Sequence, residues 1–381
     1  MKLTIDREIF LQNLNVISRG LPLKSPLPIL TCIKMDVTES DIYLTSSNAD
    51  ISVEAIISDS SLKIEQQGSI CVDGQLIDVV RKADSKEINL FTLDDNLLFV
   101  KAGSFEAKLP TMDYLEYPNI DYVSLDNPFE LNSKLLKELI KTTSFASSTS
   151  EKKPILTGVN FNNEAGIMKV ISTDSYRLAQ NICDVNQLDK NFEDFNLTVP
   201  AKSLNELIKI IDNFDGQVAL YFSNNKLLCK FNNIRFQTRL LEGNYPSTSK
   251  LIKDEYPINI SFNKDELLRS LDKVSVLSPK DSLQDREITY SIVKIEIMKD
   301  RTINISTSIQ NGGGTSLTLI PTKIETNEQL TIGLSSRYLI DALKSFNSIE
   351  VTLSFKDDHS PFIVKGNKEN YLTQLILPVR I

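Results

Sequence analysis

Val199-Pro-Ala-Lys-Ser-Leu-Asn-Glu-Leu-Ile208, then two runs of alternating apolar residues, then Leu241-Glu-Gly-Asn-Tyr-Pro246, is the stretch that decides the fold. Leu204, Leu207, Ile208 and Ile211 recur at i, i+3, i+4 and i+7, the spacing of an amphipathic helix. The same order of features appears in the first third, from Val72-Asp-Gly-Gln-Leu-Ile-Asp-Val-Val-Arg81 to Leu115-Glu-Tyr-Pro118. It appears again from Ile332-Gly-Leu-Ser-Ser-Arg-Tyr-Leu-Ile340 to Leu375-Ile-Leu-Pro378. Tyr117-Pro118 and Tyr245-Pro246 lie about one third of the chain apart, as a threefold internal repeat requires.

Each third also opens on a helical pattern, so helices are expected at 6–19, 74–83, 132–145, 201–212, 263–276 and 335–346. Asp73 and Asn132 stand at N-cap positions, and Asn263 with Glu266 forms an N-x-x-E start. Between the helices the apolar period falls to two, as in Ile258, Ile260, Phe262 and in Val351, Leu353, Phe355, with Asp94-Asp95 and Asn224-Asn225 as turn signals. The expected fold class is α+β: three repeated domains, each of two half-units of a helix plus antiparallel sheet. Proline and polar residues near 122–128 and 253–257 set the boundaries at 1–124, 125–254 and 255–381.

Composition narrows the function. The 381 residues, 41% hydrophobic and 24% charged, suit a globular protein of two or three domains. No apolar run approaches the roughly 18 residues of a membrane span, and the N-terminus has no signal-peptide core, so the expected location is cytoplasmic, with no membrane partner. Cys32, Cys71, Cys183 and Cys229 are widely spaced and read as buried thiols rather than as a disulfide or zinc framework. A single histidine, His359, speaks against a histidine-based catalytic triad.

The net charge of −8 argues against a uniformly basic surface, yet the basic charge is not evenly spread. The six helical stretches carry more basic than acidic residues, and the remainder carries the reverse. On a helical wheel Lys202 and Lys209 lie roughly 140–160° from the apolar centre of their helix. Lys134 and Lys141, Arg337 and Lys344, and Arg81 are placed likewise, with Lys137 beside Lys141. This is the pattern of helices facing a polyanion; ordinary solvated faces remain the alternative, since Glu138, Glu206 and Asp341 share those faces. Nothing suggests base reading or single-strand stacking, so any DNA contact would be indifferent to sequence.

If the helices line a ring, geometry sets the number of chains. Six helices about 10 Å apart enclose a hole of roughly 9 Å, too narrow for a duplex about 20 Å across. Twelve leave roughly 28 Å, so encirclement needs at least two chains.

The chain resembles the bacterial sliding clamp, the beta subunit of DNA polymerase III, along its whole length. Five motifs in order carry the likeness: Leu27-Pro-Ile-Leu30, Pro154-Ile-Leu-Thr-Gly-Val-Asn-Phe161, Ser172-Thr-Asp-Ser-Tyr-Arg-Leu-Ala179, Arg239-Leu-Leu-Glu-Gly-Asn-Tyr-Pro246 and Gln374-Leu-Ile-Leu-Pro-Val-Arg380. The resemblance implies a head-to-tail homodimeric ring that encircles and slides on duplex DNA, opened by the clamp loader complex. It implies a non-catalytic processivity factor that tethers the DNA polymerase III catalytic subunit and takes clamp-binding peptides of other proteins, with no cofactor and no metal. It also implies a partner-peptide cleft formed by Leu156, Thr173, Ser175, Tyr176, Arg177, Leu178, Pro246 and Leu251, with Tyr338, Leu377, Pro378, Val379 and Arg380 on the other side. Taken singly, Asp174 with Arg177 also reads as a local salt bridge, and a terminal Leu-Pro as core closure. The DNA-facing set is Lys24, Lys137, Lys141, Lys152, Lys153, Lys202 and Lys209, of which Lys24, Lys152, Lys153 and Lys202 follow from their place in the family pattern. Asp73-Gly74-Gln75 replaces a basic pair common there, which weakens a DNA role for that helix.

Other nucleotide sites fail on spacing. Gly243-Asn-Tyr-Pro-Ser-Thr-Ser-Lys250 has Thr248 where a P-loop needs its second glycine, and Gly312 to Gly314 lacks the dinucleotide spacing. Asp94-Asp95 and Asp357-Asp358 could hold Mg²⁺, although adjacent acids at strand turns are usually solvated tips. The alternative function is therefore a metal-dependent nuclease or nucleotide-processing enzyme on the same repeated scaffold.

Overall fold

The computed structural model describes all residues except 94–96, 123–127, 186–193, 224, 254, 278–291, 309–312, 327 and 381. Asp94-Asp95, Asn224, most of Gln310 to Gly314 and parts of both expected domain boundaries therefore lie outside the described residues. The chain divides into two compact units, one of residues 1–136 with 202–240, the other of 137–201 with 241–381.

In the first unit, helix α1 (Arg7–Ile17) starts where the Asp6 carboxylate accepts the N–H groups of Glu8 at 2.8 Å and Ile9 at 3.2 Å. Its Phe10, Leu14 and Ile17 are fully buried. Helix α2 (Leu76–Lys82) corrects an expectation: Asp73 is not its N-cap. The Asp73 carboxylate accepts the Gln75 N–H at 2.8 Å and so closes a turn, while Gln75 takes the cap position without a side-chain bond. The intervening turn is fixed by Ile77 N–H to the Gly74 carbonyl, 3.1 Å, which delays the start of the helix by two residues, from 74 to 76. The described residues of this unit form one antiparallel sheet of 13 strands. Within it, strand Ile234–Arg239 from the middle third pairs with Ile51–Ile57 from the first, Ile234 opposite Ala55 and Thr238 opposite Ile51.

Helices α3 (Ser133–Thr143) and α4 (Ala201–Ile210) are cut by the division between the units. In the second unit, α5 (Lys264–Val274) is capped by Asn263, which accepts the Glu266 N–H at 3.1 Å. Helix α6 (Ser336–Lys344) is capped by Ser335, which accepts the Tyr338 N–H at 3.4 Å. Nine residues are too few to hold a helix in isolation, so α6 depends on packing. Leu339 and Leu343 are fully buried, and each contributes about 1.5–3 kcal/mol by leaving water. They share a core with Phe346, Phe355 and Phe362, the last two stacked at 4.9 Å.

The described strands of this unit form sheets of nine and four strands. In the larger one, Arg177–Asp184 pairs with the near-terminal Glu369–Ile376, Leu178 opposite Leu375. The seam of the first unit is thus repeated here between the middle and last thirds.

Candidate partner-binding site

The site begins at the turn that leads into strand Arg177–Asp184. Asp174 Oδ1 accepts the N–H groups of Tyr176 at 2.9 Å and Arg177 at 3.0 Å, an Asx turn that holds Ser175 at φ 78° in the left-handed region. The Thr173 hydroxyl closes the turn onto the Arg177 carbonyl at 2.6 Å. As a result Tyr176 projects outward, 45% exposed, while Arg177 turns inward.

Arg177 is a clasp. Its Nε lies 3.0 Å from Asp174, Nη1 2.7 Å from Asp341 on α6, and Nη2 donates to the Phe145 carbonyl at 2.7 Å. The guanidinium sits 4.5 Å from the Tyr338 ring centre and 5.5 Å from that of Phe145. Burial pushes the Asp174 carboxyl above its ordinary range, and Arg177 with the turn N–H groups pulls it back. The local salt bridge read from the sequence therefore forms, and through Asp341 the same guanidinium fixes α6 to the turn.

The C-terminal segment is held by two main-chain bonds. Leu377 N–H donates to the Tyr176 carbonyl at 2.9 Å, and Val379 N–H to the Gly333 carbonyl at 2.8 Å. Leu377, Pro378 and Val379 are half-buried and Arg380 is exposed. Leu178 belongs to an apolar cluster with Ile171, Ile363 and Leu375, against which Tyr245, Ile252, Tyr256 and Leu377 pack. The structure thus brings together Thr173 to Leu178, Leu377 to Val379 and Tyr338. Pro246 follows the packed Tyr245 and is exposed, as is Leu251 at 47%. Leu156 is buried in the 3-10 turn Pro154–Thr157, outside that cluster. Tyr245, Tyr256, Ile363 and Leu375 were not among the cleft residues expected from the sequence; the Tyr-Pro pair and the terminal motif signalled Tyr245 and Leu375, and nothing signalled Ile363.

The site's chemistry is adhesive. Its one buried carboxylate–guanidinium group is fully occupied in holding the fold, and the rest is branched apolar and aromatic surface suited to peptide anchors. His359 lies at a hairpin tip, its side chain 86% exposed. There the Ser360 hydroxyl, donating to Asp357 at 2.8 Å, holds that carboxyl below the usual range, helped by the His359 N–H at 2.9 Å. These are the bonds of a turn-closing aspartate.

Among the lysines, Lys24, Lys141, Lys152, Lys153 and Lys202 are exposed, and Lys137 is half-buried. Lys24, Lys141, Lys152 and Lys153 make no ion pair among the described residues. Lys209 is bonded to Glu206 at 2.6 Å, and Glu206 also lies 4.0 Å from Arg19, so that carboxylate offsets part of the basic character of α4. Lys134 is paired with Asp215 at 2.7 Å. Exposed pairs of this kind are worth about 0–1 kcal/mol, so they trim the local potential more than they stabilise.

Three family models match the chain in succession: DNA polymerase III beta subunit, N-terminal domain over residues 1–121, central domain over 130–247 and C-terminal domain over 249–380. A beta sliding clamp of Staphylococcus epidermidis is 33% identical over 390 residues, covering 100% of this chain and 99% of that protein. The chain belongs to the beta sliding clamp family of DNA polymerase III. A Streptococcus pneumoniae beta sliding clamp is 36% identical, covering 99% of this chain and 98% of that one. Solved structures agree: the Streptococcus pneumoniae DNA polymerase III beta chain superposes with a TM-score of 0.93 at 35% identity, covering 100% of both chains. The Bacillus subtilis sliding clamp gives 0.91 at 31%, covering 100% of this chain and 99% of that one. Beta sliding clamps are non-catalytic subunits, and membership sets aside the metal-dependent nuclease.

Proposed function

We propose that this chain is the processivity factor of bacterial DNA replication, acting in the cytoplasm as a homodimeric ring that encircles duplex DNA and slides on it. The observation that carries this is the match of three successive beta-subunit domains along a chain whose own sequence repeats three times. The domains are assigned to 1–124, 125–254 and 255–381. Retention by closure needs no strong contact, so a few cations suffice: Lys24, Lys137, Lys141, Lys152, Lys153, Lys202 and Lys209 face the duplex and attract phosphates without reading bases.

Partners dock through a short linear peptide. The cleft that receives it comprises Thr173, Ser175, Tyr176, Leu178, Leu156, Pro246 and Leu251, with Tyr338, Leu377, Pro378, Val379 and Arg380 as its far wall. Arg177 holds that wall in place through Asp174 and Asp341. The polymerase catalytic subunit, the clamp loader complex and other clamp-binding proteins compete for it. Sedimentation tests the assembly: a particle of twice 42.9 kDa, imaged with a central channel, is expected. A stable single chain at replication concentrations contradicts it.

A further inference from the structure

The first unit repeats the skeleton of the cleft almost bond for bond. Pro28–Thr31 and Pro154–Thr157 are both 3-10 turns of sequence Pro-Ile-Leu-Thr, closed by Thr31 onto the Pro28 carbonyl at 2.8 Å and by Thr157 onto that of Pro154 at 2.7 Å. Asn48 Oδ1 accepts the N–H groups of Asp50 at 3.2 Å and Ile51 at 3.0 Å, as Asp174 does for Tyr176 and Arg177. Ala49 has φ 74°, as Ser175 has 78°. Arg239 N–H donates to the Asp50 carbonyl at 3.3 Å, in the place of the Leu377 bond to Tyr176. Tyr117-Pro118 stands in the place of Tyr245-Pro246.

This skeleton encloses a cavity of about 320 Å³, and an adjoining one of about 280 Å³ shares Asp121, Lys226 and Gln237 with it. Together they make a trough long enough for more than one side chain. Its lining differs in chemistry from the cleft: Ser52 replaces Leu178, Gln237 replaces Leu375, Asp50 replaces Tyr176 and Arg239 replaces Leu377. The apolar surface of the larger cavity comes chiefly from Leu27, 56% exposed, Leu30, Pro118 and Ile120, and the adjoining one adds Tyr221, Phe222 and Leu228.

Charge says what fits. Lys226 and Arg239 are directly opposite each other on neighbouring strands, a like-charge placement that costs stability unless an anion bridges it. Asp50 and Asp121 also line the cavity, but among the described residues neither comes within 4.0 Å of those cations. We propose that this trough is a second docking site, for a short extended peptide in which a carboxylate sits beside one large apolar residue. The carboxylate bridges Lys226 and Arg239, and the apolar side chain lies on Leu27 and Leu30. The proposal rests on the reading of the second-unit groove as a peptide cleft, and it gives one chain two docking sites of different preference.

Two synthetic hexapeptides test it on the full chain, one alternating Leu and Glu, the other Leu and Gln, each with a central benzophenone photo-crosslinker. The Leu/Glu probe is expected to crosslink within 27–31 and 118–121. Its affinity should fall about tenfold in Lys226→Glu with Arg239→Glu, and be regained by a Leu/Lys probe. The double Lys226→Gln, Arg239→Gln variant, checked by its melting temperature, separates lost charge from lost fold. Unchanged affinity in both variants, or Leu/Glu crosslinks confined to 173–178 and 375–379, overturns the second site. Failure of the Leu/Gln probe to mark 173–178 counts against the cleft alone, whatever happens at 27–31.

Discussion

Replacing Arg177 with Ala leaves Asp174 buried without its cation, because the Asp174 side chain is only 7% exposed and that of Arg177 only 10%. Breaking a buried pair costs about 3–5 kcal/mol, far more than an exposed bridge. At roughly 2–4 °C per kcal/mol for a unit of this size, the melting temperature falls by about 6–20 °C. The loss depends on pH. The Asp174 folded pKa already lies above its ordinary value, so its contribution is full below the ordinary carboxylate range and is lost as pH rises through the raised value. Removing Arg177 raises the folded value further, so the deficit is largest at neutral pH and shrinks as pH falls toward the carboxylate range. Calorimetry of both proteins between about pH 7.5 and about pH 4.5 measures it, and adding Asp174→Asn to the variant should restore part of the loss. A deficit under about 1 kcal/mol, or one that does not change with pH, refutes the clasp.

Deleting Leu377 to Ile381 removes both main-chain bonds of the terminal segment and one wall of the cleft; fluorescence anisotropy should show peptide binding abolished while the dimer persists. Gly158→Ala puts a Cβ 2.6 Å from Thr198 Cγ2 and 2.9 Å from the Val199 carbonyl oxygen, and should destabilise by about 1–3 kcal/mol in urea titration. Burial pushes Cys183 up to about 11 and Cys71 up to about 12. Alkylation of the native protein followed by mass spectrometry should therefore label Cys183 first, with rates rising about tenfold per pH unit near neutrality. Equal labelling of the two would contradict this.

Apolar spacing made the helices and strands legible, since a period of 3.6 or 2 is imposed by which face is buried. It could not show that strands from different thirds join one sheet, as Ile234–Arg239 does beside Ile51–Ile57, because pairing partners leave no mark on alternation. Asp73 misled because an aspartate two residues before a turn N–H and one at a helix cap look alike in sequence. Cys183, expected to be buried, is half-buried at the next-to-last residue of its strand, Arg177–Asp184. At the cleft, Thr173 to Leu178 and the terminal motif stood out by resemblance. The role of Arg177 depends on Asp341, remote in sequence, and on a main-chain carbonyl, neither of which spacing reveals.

The claim that two copies hold DNA by enclosure is tested most directly by loading the protein with its loader onto a nicked circular plasmid, then cutting the circle once. Protein should remain on the intact circle through gel filtration in high salt, where phosphate contacts alone would fail. It should run off within minutes of linearisation. Equal loss from both forms, or equal retention on both, contradicts enclosure.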